Sequence, residues 1–247
     1  MSGSDAAVRV TDIAQAFEGR TIYHHVSFVV RYHEVFVILG GSGSGKSTLL
    51  RQIIGLLPPQ EGRIELLGED VYAGEGDVLK RAGVMFQSGA LFGSMTLLEN
   101  VMLPLEMHTD LPHAARAEAA RVKLGLVGLA NAVDLLPAEI SGGMIKRGAI
   151  ARALALDPPL LFLDEPSAGL DPSTSAGIDR LILELRSALG TTFVVVTHEL
   201  GSILTIADRC IMLDAGAHGI VAEGDPRRLS ETSDNPIVRR FFHREAA

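Results

Sequence analysis

A glycine-rich run that ends in a lysine carries the clearest chemistry in this sequence. Its residues are Gly40, Gly41, Ser42, Gly43, Ser44, Gly45, Lys46, Ser47 and Thr48, and they match the pattern G-x-x-x-x-G-K-[ST]. Glycines let successive backbone N–H groups turn towards phosphate oxygens, and the lysine that follows can reach the β- and γ-phosphates. The hydroxyl of Ser47 can bind Mg²⁺. The run therefore predicts a site for a nucleotide with Mg²⁺.

The segments on either side distinguish this motif from a flexible Gly/Ser linker. The apolar run 35–39 is typical of a buried parallel strand. Residues 47–55 carry apolar residues at helical spacing and end at a glycine. A strand, a loop and a helix in this order favour phosphate binding, because the helix N-terminus adds the positive end of its dipole to the site.

A pair of carboxylates supplies the second piece of chemistry. Asp164 and Glu165 directly follow the apolar run 160–163, which is typical of a buried strand. Ligands in parallel α/β sheets bind at the carboxyl ends of the strands. We expect Asp164 to hold the hydration shell of Mg²⁺ and Glu165 to orient or deprotonate the attacking water. The pair is weak by itself, but together with the glycine-rich run it predicts hydrolysis.

Two further features have competing interpretations. Ser141, Gly142, Gly143 and Met144 precede a helix with two cations in its first turn. They suit either a second phosphate-binding helix N-terminus or an ordinary serine cap, and the cap is the simpler interpretation. His198 follows the β-branched run 193–197, where a single histidine more often packs or caps.

Composition limits the class of protein. The 247 residues are 47% hydrophobic and 21% charged, enough for one large α/β domain or for a domain with an inserted lobe. A net charge of −8 and the absence of Trp argue against nucleic acid as a partner. The one cysteine, Cys210, is expected to pack in its apolar run. No signal-like or membrane-spanning stretch stands out, so we expect a chain that is soluble by itself and reaches a membrane only through a partner.

The distribution of strand and helix patterns predicts one domain with an insertion. Strand and helix patterns alternate over about 6–87 and 157–230, which we assign to an α/β core. The intervening stretch, about 88–156, is helical throughout and predicts an inserted lobe. Residues of about 231–247 predict a helical tail. Within the first part, residues 16–20 are predicted as a loop.

The order of these motifs over nearly the whole chain resembles the ATP-binding cassette (ABC) ATPases. The resemblance implies a P-loop NTPase fold with a RecA-like core, an antiparallel β subdomain and a helical lobe. It makes Gln87 the Q-loop glutamine, Asp164 and Glu165 the second carboxylate motif, and His198 the switch histidine. Ile140 to Met144 stand at the signature sequence and 167–171 at the D-loop.

The same resemblance assigns roles at the nucleotide. It makes Lys46, Glu165 and His198 the catalytic groups and adds Gln87 to Ser47 and Asp164 as a binder of Mg²⁺. Phe17 becomes the aromatic ring that stacks on adenine, with Tyr23 as the alternative.

The resemblance also implies a head-to-tail homodimer with two ATP molecules between the subunits. The segment of Ser141, Gly142, Gly143 and Met144 would then bind the γ-phosphate held by Lys46 of the other subunit. The chain departs from the family pattern at Ile140, Met144, Gly41 and His33. None of these changes removes a catalytic group, and a histidine at position 33 tolerates the positive φ of a tight turn.

Two stretches, 85–92 and 140–147, are similar to the ATPases of Mla/MCE-type phospholipid transporters. That branch implies membrane permease subunits, an MCE-domain lipid-binding protein and, in some members, a STAS-domain regulator. The ATPase would lie on the cytoplasmic face of the inner membrane. The alternatives are another importer or exporter branch, a soluble ABC ATPase outside transport, and a nucleotide-binding scaffold without turnover.

His24, His25 and His33 fit no zinc pattern and are expected at the surface.

Overall fold

A computed structural model describes residues 6–73 and 77–243 of the chain. The chain divides into two compact units. The first, which we call the loop unit, comprises Met1–Leu79 and Thr192–Ala247, and the second, the helical unit, comprises Lys80–Thr191. None of the helices in the described part combines the length and the hydropathy that a membrane span requires.

Strands and helices alternate along much of the described chain. The strands are β1 (Ala6–Phe17), β2 (Arg20–Arg31), β3 (Val35–Gly40), β4 (Glu61–Leu66), β5 (Glu69–Asp70), β6 (Ala82–Met85), β7 (Leu160–Asp164), β8 (Thr192–Val196), β9 (Arg209–Asp214) and β10 (Gly219–Gly224). The α-helices are α1 (Lys46–Ile53), α2 (Leu97–His108), α3 (His113–Leu126), α4 (Gly142–Ala153), α5 (Pro172–Leu189), α6 (Leu200–Ile206), α7 (Pro226–Thr232) and α8 (Pro236–His243).

The loop unit contains the parallel strands that the apolar runs predict. Its strand order is β10-β9-β3-β8, in which β3 is parallel to both β8 and β9 and β10 is antiparallel to β9. Every residue of β3 and β8 is buried, as expected of strands covered on both faces. Cys210 lies buried in β9 as predicted, and burial raises the pKa of its thiol to about 12.

An antiparallel sheet with the order β2-β1-β4-β5 completes the strands of this unit. The prediction of a loop over 16–20 is wrong, because Phe17 pairs directly with Arg20 and the two strands form one long hairpin. Glu18 and Gly19 both have positive φ, 49° and 79°. This is the conformation of a two-residue turn whose twist matches that of the strands it joins. The strand therefore carries Phe17 to the hairpin tip.

Buried amides fasten α1 to this hairpin. The Tyr23 hydroxyl donates to Gln52 Oε1 at 2.5 Å, and Gln52 Nε2 donates to Gln15 Oε1 at 2.8 Å. All three side chains are buried, so each bond satisfies a group that water cannot reach. At the start of β3, the tight turn expected at His33 is present, with φ of 65°.

The helical unit contains a parallel strand pair and helices. Strand β6 pairs with β7, with Met85 opposite Leu163. Residues 88–156 contain α2, α3 and α4 and no strand, in keeping with a helical lobe, although its boundaries stay a prediction. Thr96 and Glu99 form the capping box that begins α2.

The described part of the tail is largely helical, with a break at residues 233–235. The predicted stretch 231–247 contains the end of α7 and all of α8, while residues 244–247 lie outside the described part. In α8, Val238 and Phe242 are buried, which is consistent with a helix that packs on its own chain.

Gly83 tests how tightly β6 packs against α4. A Cβ at this position would lie 2.1 Å from the carbonyl oxygen of Ala153, which is backbone and cannot rotate away. We expect Gly83→Ala to lower the free energy of unfolding by about 1–3 kcal/mol, the usual cost of overpacking. The measurement is urea denaturation followed by circular dichroism.

Gly125 provides the matched control. It lies within α3, and an added Cβ would meet nothing within 4 Å. Gly125→Ala should be neutral or should stabilise by up to about 1 kcal/mol, because alanine favours helix. Equal destabilisation by the two substitutions would contradict the packing argument.

Candidate functional site

The glycine-rich run forms a loop between β3 and α1, as its flanking patterns predict. The loop leaves the sheet at Gly40 with φ of 151° and enters the helix at Gly45 with φ of 95°. A Cβ on Gly40 would lie 2.3 Å from the Leu213 carbonyl oxygen, and one on Gly45 would lie 2.8 Å from Ile22. Both positions therefore require glycine.

A cleft of about 320 Å³ opens in front of this loop. It is lined by Phe17, Arg20, Ile22, Gly43, Ser44, Gly45, Lys46, Ser47 and Thr48. Phe17 is 44% exposed, whereas Tyr23 is fully buried and its hydroxyl donates a hydrogen bond to Gln52 within the core. Of the two candidates for adenine stacking, Phe17 is the one whose ring a ligand can reach.

The groups in this cleft suit a phosphate chain. The Lys46 ammonium donates to the carbonyl oxygens of Gly40 at 2.8 Å and Gly41 at 2.9 Å, so it lies over the loop. The buried Ser44 hydroxyl has no hydrogen-bond partner among the described residues. A buried polar atom without a partner is uncommon and calls for an explanation, and a phosphate oxygen would provide one. The first helical turn, with exposed Ser47, adds the positive end of the α1 dipole.

His198 lies at the same end of the sheet as the loop. It follows β8, which runs parallel to β3 with Val196 opposite Ile38. Its side chain is exposed, with Nε2 3.9 Å from Glu199 Oε1, and Thr197 rather than His198 accepts the N–H of Glu199. An exposed side chain does not fit the packing interpretation, and the role of His198 at the nucleotide stays a prediction.

The helical unit has a cleft of its own, of about 680 Å³. Its lining consists of Phe86, Gln87, Ser88, Gly142, Ile145, Lys146, Asp164, Ala168, Gly169 and Leu170. Strands β6 and β7 are parallel neighbours, with Met85 opposite Leu163. Gln87 and Asp164 come together because each lies one or two residues after this last pair, at the carboxyl end of the strands. Gly142 reaches the cleft from the start of α4.

The two carboxylates occupy different surroundings. Asp164 is the last residue of β7 and is half-buried, whereas Glu165 is 8% exposed. Glu165 also has φ of 47°, a left-handed conformation that a residue with a Cβ seldom adopts. Such strained conformations cluster at functional sites.

The predicted signature segment forms the start of α4. Ser141 is the N-cap, and its Oγ accepts the N–H of Met144 at 3.3 Å. The serine-cap interpretation is thus confirmed, while the phosphate-binding role of the segment stays a prediction. A Cβ on Gly143 would lie 2.5 Å from Thr174 Cγ2, so a side chain there would require Thr174 to move.

One residue of the cleft has contacts that the sequence did not indicate. Lys146 is only 7% exposed, and its ammonium donates to the carbonyl oxygens of Gln87 and, at 3.1 Å, Glu165. Burial lowers the pKa of Lys146, while the carboxylates of Asp164 and Glu165 act in the opposite direction. From the sequence it was only a cation near a helix start.

The predicted site residues are therefore divided between the two units. The loop unit carries Phe17, the run 40–48 and His198, and the helical unit carries Gln87, 141–144 and the two carboxylates. Among the described residues, no group of three or more His, Cys, Asp or Glu side chains is arranged to hold a metal ion by itself. Of the three histidines considered for zinc, His25 has an exposed side chain, and its Nδ1 lies 2.7 Å from Asp12 Oδ1.

Comparison with known proteins identifies the family. Residues 23–168 match the ABC transporter family. The chain belongs to this family. It is an ATPase of the ABC type with the α/β P-loop fold, and nucleotide binding follows from that membership.

The similar proteins include some that are named as ATP-binding proteins of transport systems. The intermembrane phospholipid transport system ATP-binding protein MlaF of Escherichia coli K12 is 42% identical over 239 residues, 95% of this chain and 88% of that protein. MlaF of Haemophilus influenzae is 39% identical over 224 residues, 89% and 84% of the two chains. The probable ribonucleotide transport ATP-binding protein mkl of Mycobacterium tuberculosis H37Rv is 39% identical and covers 96% of this chain and 66% of that protein.

Solved ABC structures share the fold. The chain superposes on cbiO1 of Clostridium perfringens, part of the ABC transporter complex cbiONQ, with a TM-score of 0.83 at 28% identity, over 92% of this chain and 91% of that one. It also superposes on the dimeric bacterial ABC transporter cassette MJ0796, with a TM-score of 0.79 at 30% identity, over 88% and 98% of the two chains.

Lys46 tests the phosphate-binding role of the loop. We expect Lys46→Ala to weaken ATP binding at least tenfold, because a charge-assisted contact to phosphate is worth about 1.5–3 kcal/mol. Titration with a fluorescent ATP analogue measures the affinity. Arg51→Ala is the control, since Arg51 is an exposed cation on the same helix outside the cleft lining. Undiminished affinity in Lys46→Ala would contradict the assignment.

Proposed function

We propose that this chain is the ATP-binding and ATP-hydrolysing subunit of a membrane transporter that moves phospholipid between membranes. The observation that carries the proposal is the 42% identity to E. coli MlaF over 95% of this chain and 88% of that protein. Identity at this level and coverage extends beyond the ATP-binding motifs, which make up a small part of the sequence. The motifs at 85–92 and 140–147 point the same way.

The loop unit would bind the nucleotide. Lys46 and the backbone of the run 40–48 would hold the β- and γ-phosphates, and Phe17 would stack on adenine. The hydroxyl of Ser47 would bind Mg²⁺ together with Gln87 and Asp164. Hydroxyl, amide and carboxylate oxygens form the donor set that Mg²⁺ prefers. The bound ion would neutralise charge on the phosphates during the reaction.

Hydrolysis would depend on a general base and on a polar contact to the phosphate. We assign the base to Glu165, which would orient the attacking water and accept its proton. His198 would contact the γ-phosphate from the end of β8. Since Glu165 is nearly buried, its carboxylate has few orientations to choose from, which suits the positioning of a single water.

The active form would be a head-to-tail homodimer. Solved structures of MJ0796 are dimeric, one of them in a post-hydrolysis state with ADP and Pi. In such a dimer, the segment 141–144 of one subunit would face the γ-phosphate held by Lys46 of the other. ATP would then favour the closed dimer, and hydrolysis would let it open, which is a shift of population driven by the ligand.

The partners follow from the phospholipid assignment. They would be membrane permease subunits and an MCE-domain lipid-binding protein, with a STAS-domain regulator as in some members of that branch. The ATPase would lie on the cytoplasmic face of the inner membrane. A second candidate cargo comes from mkl, whose name describes ribonucleotide transport. The phospholipid assignment has the support of higher identity and of coverage of 88% rather than 66% of the relative.

Purification with native partners tests the cargo. The tagged full-length chain would be isolated from its own membranes in mild detergent, and mass spectrometry would identify both proteins and lipids. We expect a permease, an MCE-domain protein and enriched phospholipid. A permease with a soluble-substrate binding protein would move the chain to another transporter branch. Soluble partners alone would contradict transport.

Glu165→Gln tests the assignment of the base. The amide keeps the size of the side chain but cannot accept the proton, so we expect turnover to fall by at least a hundredfold. ATP binding should survive and the dimer should persist with ATP, as measured by phosphate release and size-exclusion chromatography. Glu184→Gln, an exposed change in α5, is the control. Normal hydrolysis in Glu165→Gln would remove Glu165 from the mechanism.

A further inference from the structure

Lys146 occupies an unusual position for a lysine. It lies in the second turn of α4, is 7% exposed, and directs its ammonium towards the ends of β6 and β7 rather than towards solvent. Lysine is rarely buried to this extent unless its charge has partners. Here the partners are two backbone carbonyl groups.

The two carbonyl groups belong to residues at equivalent places in the strand pair. Met85 and Leu163 are opposite each other at the end of the β6–β7 ladder. Gln87 and Glu165 each follow two residues later, beyond the last paired residues. The strand pairing has ended at this point, so no backbone hydrogen bonds of the ladder join the two segments. The Lys146 ammonium links them instead, through its hydrogen bonds to both carbonyl groups.

The backbone conformation of Glu165 is one that a hydrogen bond from Lys146 can stabilise. Its backbone is left-handed, with φ of 47°, and a non-glycine residue in this conformation costs of order 1 kcal/mol or more unless its surroundings hold it. The Glu165 carbonyl oxygen accepts the Lys146 ammonium at 3.1 Å and the N–H of Ala168 at 3.2 Å. The direction of the Glu165 side chain follows from this backbone conformation.

We propose that Lys146 is a positioning residue that joins the backbones of Gln87 and Glu165 and thereby sets the direction of the Glu165 carboxylate. The proposal rests on the proposed function in taking Glu165 as the base. It adds that α4, the helix that Ser141 caps, holds the base and the Q-loop glutamine at fixed places through one side chain. Movement of the start of α4 would therefore shift the backbones of both Gln87 and Glu165.

Arg152, another cation on α4, donates hydrogen bonds to a different set of carbonyl groups. Arg152 donates to the carbonyl oxygens of Ala90 at 2.7 Å and Gly89 at 3.0 Å. It holds the same segment after β6 but makes no hydrogen bond to Glu165 among those that the structure gives it. Lys146 is thus the side chain through which α4 reaches both strand ends.

The test replaces the ammonium while keeping the bulk. In the full-length protein, Lys146→Met retains an unbranched side chain but removes the two hydrogen bonds. We expect kcat for ATP hydrolysis to fall roughly tenfold to a hundredfold, as misplacement of a catalytic group does. The KM for ATP should change less than threefold, because the phosphate loop is intact. Lys146→Arg restores the charge and the donors and should recover a measurable part of kcat.

Lys123→Met is the matched control. Lys123 is also 7% exposed and lies in the same unit, but it pairs with Asp157, away from both clefts. Its replacement should lower stability without the same loss of kcat. If Lys123→Met lowers kcat as much as Lys146→Met, or if Lys146→Met hydrolyses ATP normally, the positioning role is refuted.

Amide hydrogen exchange separates this proposal from the function on which it rests. Without nucleotide, Lys146→Met should exchange faster than wild type at residues 86–90 and 165–168, and Lys123→Met should not. A wild-type protein that fails to hydrolyse ATP would refute the ATPase assignment, while the exchange pattern would still decide whether Lys146 joins the two segments. Unchanged exchange in Lys146→Met would refute the link.

Discussion

The complete burial of the parallel strands is the constraint on which the rest of this structure depends. Strands β3 and β8 are buried at every position, and β7 is buried until Asp164. Side chains within such strands contribute to the core and cannot contact a ligand. Polar groups therefore become available only where a strand ends. The parallel register then decides which residues meet there, since neighbouring strands end at the same edge.

Each unit of the chain shows this consequence. In the loop unit, the pairing of Ile38 with Val196 places the phosphate loop and His198 at one edge. In the helical unit, the pairing of Met85 with Leu163 places Gln87 beside the carboxylates. The backbone must turn sharply at these points. Gly40 does so with the freedom of a glycine, whereas Glu165 keeps its side chain and accepts a strained conformation.

The sequence predicted the parts of this arrangement that depend on local patterns. The apolar runs, the phosphate loop and the serine cap at Ser141 are each specified by adjacent residues, and the structure places them as expected. The hairpin tip was missed, because the pairing of Phe17 with Arg20 depends on contacts along two whole strands. The choice between Phe17 and Tyr23 also needed the structure, since nothing near Tyr23 in the sequence indicates that Gln52 accepts its hydroxyl.

Lys146 shows the limit of such prediction, and a comparison with Lys46 explains it. The Lys46 ammonium donates to carbonyl groups five and six residues away, in a loop that is open to the cleft. A phosphate can therefore compete for it at little cost, as binding requires. The Lys146 ammonium donates to carbonyl groups 59 and 19 residues away and is nearly closed to solvent. If the Lys146 ammonium left these carbonyl groups, it would remain buried without hydrogen-bond partners. The free-energy cost of that state exceeds the net stabilisation that the hydrogen bonds provide. The same functional group thus serves binding where it is accessible and serves positioning where it is enclosed, and only the fold distinguishes the two.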